Sequence, residues 1–220
     1  MSTAVRLAAL DIAGTTVDEG GAVYRVLAEV VTDHGATPED EDIRRWMGAD
    51  KREALRALTG RAEVEDLHTE FVDRLRAAYA EVPPRPCAGV PEALAALRAR
   101  GVAVVLTTGF DRQVTDPLLE VVGLEVDGVV CAEEVGAGRP SPAMIRRAMG
   151  LTGVDDPAEV LAAGDTVLDV EAGLAAGAGL VVGVLTGAQT RRELEAARPT
   201  HVLDGVADLP ELLGLAVGTR

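Results

Sequence analysis

The sequence predicts an α/β fold: a Rossmann-like doubly wound parallel sheet with an inserted α-helical cap. Three observations predict it. Short apolar runs bounded by turn residues recur along the chain, stretches with helical spacing separate them, and the region from Val17 to Val82 has helical spacing and no convincing strand.

The first run, Leu7 to Leu10, is continuously apolar, as a parallel strand covered on both faces should be. Tyr24 to His34, Asp40 to Trp46, Lys51 to Thr59 and Val64 to Ala80 follow, each with helical spacing. The acidic run Glu39-Asp40-Glu41-Asp42 fits a solvated helix start favoured by the macrodipole. Pro83-Pro84-Arg85-Pro86 marks the return to the sheet, because prolines end a helix and stiffen a connection. Beyond it, helical stretches Val90 to Arg100, Gln113 to Val122, Pro142 to Met149, Val167 to Ala176 and Thr190 to Ala197 alternate with apolar runs Val102 to Leu106, Val129 to Cys131, Val160 to Ala163 and Leu180 to Val184. Such alternation is the mark of a doubly wound sheet. Gly173, Gly177 and Gly179 follow a helix instead of opening one, so they read as a helix end and tight turn, not a dinucleotide loop. The expected division is a core of residues 1–16 and 84–220 with a helical cap of residues 17–83. Hinges near Thr16 to Gly21 and Val82 to Ala88 would let the cap move as a lid.

Composition narrows the function. With 48% hydrophobic and 26% charged residues, the 220-residue chain is expected to fold as one or two soluble globular domains. A net charge of -15 argues against binding a nucleic-acid backbone, and 2% aromatics removes stacking-based recognition. No apolar stretch suits a signal peptide or membrane span, so cytoplasmic residence and a small-molecule partner are the expectation. Cys87 and Cys131 lack metal-like or redox spacing, which fits a reducing compartment, and the apolar setting of Cys131 suggests a core thiol.

Ligands in such sheets bind beyond the carboxyl ends of the strands. Those ends carry, in order, Asp11, then Thr107-Thr108-Gly109, then Arg139, then Asp165 and Asp169. That is a nucleophile, hydroxyl and backbone donors, a cation and paired carboxylates. Together they can hold a phosphoryl group and Mg²⁺, since carboxylates supply hard oxygen ligands and the cations offset charge on the transferring group. Each piece alone has a bland reading, Asp165 as a helix cap and Arg139 as a solvated loop residue. Four pieces in order at four strand ends are harder to dismiss.

With Asp11-Ile12-Ala13-Gly14-Thr15-Thr16 as the first motif, the sequence resembles the haloacid dehalogenase superfamily, whose four motifs appear in order from Asp11 to Asp169. The resemblance implies Asp11 as nucleophile and metal ligand, the Ala13 carbonyl as a second ligand, Thr107 as a phosphate contact, and Asp165 binding Mg²⁺ with Asp169 supporting it. Thr15, Met47, Gly48, Thr108 and Gly109 complete the expected substrate-binding set. Ala13 stands where most phosphatases of the superfamily have an acid, and Arg139 where most have lysine. Both departures, with Lys51 in Met47-Gly48-Ala49-Asp50-Lys51, resemble the phosphonoacetaldehyde hydrolase subgroup, whose lysine forms a Schiff base with the substrate aldehyde. The chain departs from that subgroup at Ala54, Phe110 and Gly20-Gly21, which stand where it has His, Tyr and Cys. The subgroup also implies a homodimer through the cap, with the altered hinge leaving that state open.

The chemistry explains why these features belong together. Cleaving a C–P bond expels a carbanion equivalent, which needs an electron sink, and a protonated imine on Lys51 would be one. No leaving oxygen then needs a proton, and a methyl group at position 13 costs nothing. Imine formation needs Lys51 partly neutral, through burial or a nearby cation such as Arg52 or Arg139. The alternative enzyme is a capped phosphomonoesterase or phosphotransferase in which Lys51 only binds substrate. A third reading is a catalytically reduced binding protein that keeps the fold. His34, His68 and His201 are scattered without ligand spacing and read as structural or surface residues. Trp46 reads as a packing residue, as does Met47, which beside Gly48 is the likelier of the two to touch substrate.

Overall fold

The computed structural model describes residues 4–215. Strand β1 (Leu7–Asp11) leads into the two-residue strand β2 (Val17–Asp18), and four helices follow: α1 (Ala22–Asp33), α2 (Asp40–Arg45), α3 (Lys51–Thr59) and α4 (Glu65–Glu81). After β3 (Arg85–Pro86) the chain alternates: α5 (Val90–Ala99), β4 (Ala103–Thr108), α6 (Arg112–Val122), β5 (Gly128–Cys131), α7 (Ala132–Val135), α8 (Ala143–Thr152), β6 (Val160–Gly164), α9 (Val167–Ala176), β7 (Leu180–Val184), α10 (Arg191–Ala196), β8 (His201–Leu203) and α11 (Leu209–Leu212). Among these helices none is long and apolar enough to cross a membrane.

Six strands form one parallel sheet in the order β5-β4-β1-β6-β7-β8. The order reverses at β1, which pairs with β4 on one side and β6 on the other, so the crevice beyond its carboxyl end is the switch point where such sheets bind ligands. Alternate residues feed two cores. Ala8, Leu10, Val104, Leu106 and Leu161 pack in one, and Leu7, Ala9, Val105 and Val160 join Met144, Ile145 and Met149 of α8 in the other. In the helical region, α1 buries Val23, Val26, Leu27, Val30 and Val31 at helical spacing, and α4 buries Leu67, Phe71, Val72 and Leu75. The two helices pack together, each covering the apolar stripe of the other.

Two features differ from expectation. The sheet gains β8, a three-residue strand at its edge whose partly exposed residues leave no apolar run in the sequence. The segments expected as hinges carry a short ribbon that was not expected: Val17 lies opposite Pro86 and Asp18 opposite Arg85 in antiparallel pairing, with an exposed Arg85–Asp18 ion pair of 3.1 Å. Two residues per strand are too few for periodicity to reveal.

Candidate active site

Asp11 is the last residue of β1, in register with Thr107 of β4. Asp165 follows β6 directly, and Asp169 sits in the first turn of α9, where its carboxylate accepts from the backbone N–H and hydroxyl of Thr166 in a capping box. Arg139, only 4% exposed, binds these strand ends together. Its Nη2 lies 3.0 Å from Asp11 Oδ1 and donates to the Thr107 carbonyl and hydroxyl at 2.9 Å each, its Nε pairs with Asp169, and its Nη1 donates to the Gly48 carbonyl at 3.1 Å. One guanidinium thus spans three strand ends and the loop before α3.

Three buried carboxylates share that one guanidinium. Burial holds Asp11 well above the usual carboxylate range; Arg139 opposes the rise, and Asp169 and Asp165 add to it. Burial first and Asp169 second push Asp165 up to about 7, although the Ala188 N–H (2.7 Å) and the Thr15 hydroxyl (3.2 Å) donate to it. Excess buried negative charge of this kind fits a hard cation with oxygen ligands. Among the described residues no three His, Cys, Asp or Glu side chains converge as a ready-made metal cluster.

Lys51 opens α3, whose N-cap Asp50 accepts from the Arg52 and Glu53 amides. The lysine is 4% exposed, and its Nζ donates to the Ala49 carbonyl at 3.1 Å and lies 5.5 Å from the Phe110 ring centroid. Burial lowers its pKa to about 8; Asp11 and Asp50 pull upward and Arg139 downward. Arg52, expected as a candidate cation beside it, points away toward Glu65 at 2.9 Å.

The loop 47–50 presses onto the core. A Cβ on Gly109 would stand 2.4 Å from the Ala49 carbonyl oxygen, and one on Gly48, whose φ is +81°, 2.7 Å from the Thr166 hydroxyl. The cavity beneath is lined by Asp11, Ala13, Met47, Lys51, Phe110 and Arg139, with Gly48, Thr108, Gly109 and Asp165 on its wall, and its free volume is about 20 Å³. That is room for about one water. Thr15 does not line the cavity; its hydroxyl is spent on Asp165. The Ala188 amide, which holds the same carboxylate, was missed in the sequence, since a backbone donor after a strand has no side-chain signature. Cys131 is a buried thiol, its pKa pushed up to about 11 by burial, as its apolar setting implied.

Residues 5–177 match the model of the haloacid dehalogenase-like hydrolases. The chain belongs to that family. Within it, phosphonoacetaldehyde hydrolase from Bordetella pertussis is 31% identical over 98% of this chain and 96% of its own. Two solved structures share the fold of this hydrolase. A phosphonoacetaldehyde hydrolase-like protein from Oleispira antarctica has a TM-score of 0.82 and 24% identity, covering 100% of this chain and 96% of its own. A predicted phosphoglycolate phosphatase from Haemophilus somnus has a TM-score of 0.75 and 21% identity, covering 96% and 98%. The hydrolase class and a phosphonatase-like kinship follow from the family and sequence matches together.

Proposed function

We propose that this hydrolase cleaves the C–P bond of phosphonoacetaldehyde or a related 2-oxoalkylphosphonate, with Asp11 as nucleophile and Lys51 as imine-forming electron sink. The observation that carries the reading is a buried amine with its pKa lowered to about 8, in a cavity where Ala13 replaces the acid an ester hydrolase would use. Residues 17–83 act as the cap and residues 1–16 and 84–220 as the core. Asp11, the Ala13 carbonyl and Asp165, with Asp169 supporting, would hold Mg²⁺, which neutralises phosphoryl charge when bound.

Neutral Lys51 attacks the substrate carbonyl carbon, water leaves, and the resulting imine takes a proton. An Asp11 oxygen then bonds to phosphorus as the P–C bond breaks, and its electron pair moves into the iminium to give an enamine. Arg139 and Thr107 bind the phosphoryl oxygens, while Met47, Gly48 and Phe110 enclose the carbon side and exclude water. Protonation of the enamine carbon and hydrolysis of the imine free Lys51 and the carbonyl product. A second water hydrolyses the aspartyl phosphate, so one water is consumed overall and inorganic phosphate is released.

The hydrogen bond from Lys51 to the Ala49 carbonyl favours a second reading, an ammonium that only contacts a phosphate ester. Comparing phosphate release from phosphonoacetaldehyde and from small phosphate monoesters, each with Mg²⁺, tests the choice. Turnover of the phosphonate at least about a hundredfold faster supports C–P cleavage. Turnover of the esters alone overturns it.

A further inference from the structure

Asp111 opens α6 directly after Phe110, and its Oδ1 does ordinary work, accepting from the Val114 amide as the helix N-cap at 3.3 Å. Its Oδ2 does not. That oxygen is fully buried, and among the described residues no donor reaches it in hydrogen-bond geometry. A buried carboxylate oxygen in such a setting is costly unless a donor or a cation answers it. Two groups face it, both from the helical region. His68 Nε2 of α4 lies 3.4 Å away and Arg52 Nη1 of α3 lies 3.8 Å away, and these two nitrogens are 3.3 Å apart. Arg52 is braced from behind by Glu65 on α4, and α4 makes a further crossing to α6 through Arg76, which donates to the Gln113 carbonyl at 2.7 Å.

We propose that Asp111 is a positioning residue whose Oδ2 is the core-side anchor for the cap, and that His68 and Arg52 latch onto it to set Lys51 over the site. Arg52 adjoins Lys51 in the first turn of α3, so fixing its guanidinium fixes the turn that carries the amine. Phe110, the ring facing the amine, adjoins Asp111, so the same anchor orders both sides of the contact. Both nitrogens stand beyond ordinary hydrogen-bond distance, at 3.4 and 3.8 Å, close enough for charge to act across the gap. Helix capping alone explains only Oδ1. The proposal rests on Lys51 acting in the site, by imine or by charge.

Asp111→Asn separates the anchor from the cap, because asparagine caps a helix about as well as aspartate and removes only the charge. The expected result is a fall in kcat/KM of about tenfold or more, as misplacement of a reacting group produces, with an unchanged unfolding midpoint. The loss should not multiply with that of His68→Gln in the double variant. Trp46 is the only tryptophan, and it lines a groove at the seam with Arg139, Pro140 and Leu168, so its emission reports closure. With Mg²⁺ and inorganic phosphate as the probe, Asp111→Asn should make Trp46 easier to quench with acrylamide. Wild-type kcat/KM and quenching in Asp111→Asn would overturn the proposal, as would losses that simply multiply. Failure of the imine reading looks different: no borohydride adduct on Lys51 in the wild type, with phosphate-ester hydrolysis still impaired by Asp111→Asn.

Discussion

The carbonyl oxygen of Ala49 occupies the place where a side chain on Gly109 would begin, 2.4 Å from a Cβ built there. Ala49 precedes α3 and Gly109 follows β4, so this contact fixes how close the loop carrying Lys51 comes to Asp11. Gly109→Ala should therefore hold the loop off the core. The expected result is a loss of about a hundredfold in kcat/KM, since an ångström of misplacement can cost that much. The unfolding midpoint should stay near wild type. Full activity in this variant would show that the contact is not needed for turnover.

Lys51 gives a pH dependence with a definite sign. Imine formation needs the neutral amine, and with a pKa of about 8 only about a tenth of the protein presents it at pH 7. Initial rates of imine trapping should rise with pH and level off above about 8. A rate that is flat from pH 6.5 to 9 would contradict a nucleophilic amine.

The same lowered pKa is a stability statement. Because the folded-state value lies below the unfolded one, the cost of burying the ammonium is full below about pH 8 and is relieved as pH rises toward 10.5. Lys51→Met should stabilise the fold at pH 7 by on the order of 3 kcal/mol while abolishing C–P cleavage. Denaturant unfolding at pH 7 and pH 10 checks both the sign and the shrinking difference.

On the proposed reading, Ala13 and Lys51 together set the reaction class. Ala13→Asp should raise phosphate-monoester hydrolysis by about tenfold or more, by restoring a general acid, and should leave C–P cleavage no faster. Parallel assays on the two substrate classes read this directly. A gain in C–P cleavage would mean that a protonated leaving group matters after all.

If the crowded carboxylates hold Mg²⁺ as proposed, the fold should be sensitive to it. Mg²⁺ at about a hundred times its Kd should add about 2.7 kcal/mol, a rise of roughly 5–10 °C in unfolding midpoint for a chain of this size. The shift should shrink in Asp165→Asn. No shift in the wild type would remove the metal from the account.

Much of this was legible in the sequence because the candidate site residues sit where periodicity changes. Asp11, Thr107 and Asp165 each end or follow an apolar run, so the strand pattern placed them at one edge. Arg139 was legible only by spacing and order, since nothing local says that a loop arginine folds inward. The ribbon of Val17–Asp18 with Arg85–Pro86 and the edge strand His201–Leu203 were not legible, being too short to show alternation. Nor was the place of His68. It reads as a structural or surface residue without ligand spacing, and only the approach of α4 to α6 brings it to Asp111.

The most direct test of the central claim is reductive trapping. The purified protein is incubated with Mg²⁺ and phosphonoacetaldehyde, borohydride is added, and the product is read by intact mass and peptide mapping. The account predicts a reduced adduct on Lys51 that is absent in Lys51→Arg. A protein that releases phosphate from ordinary esters yet carries no adduct at Lys51 would contradict it and leave a phosphatase with a substrate-binding lysine.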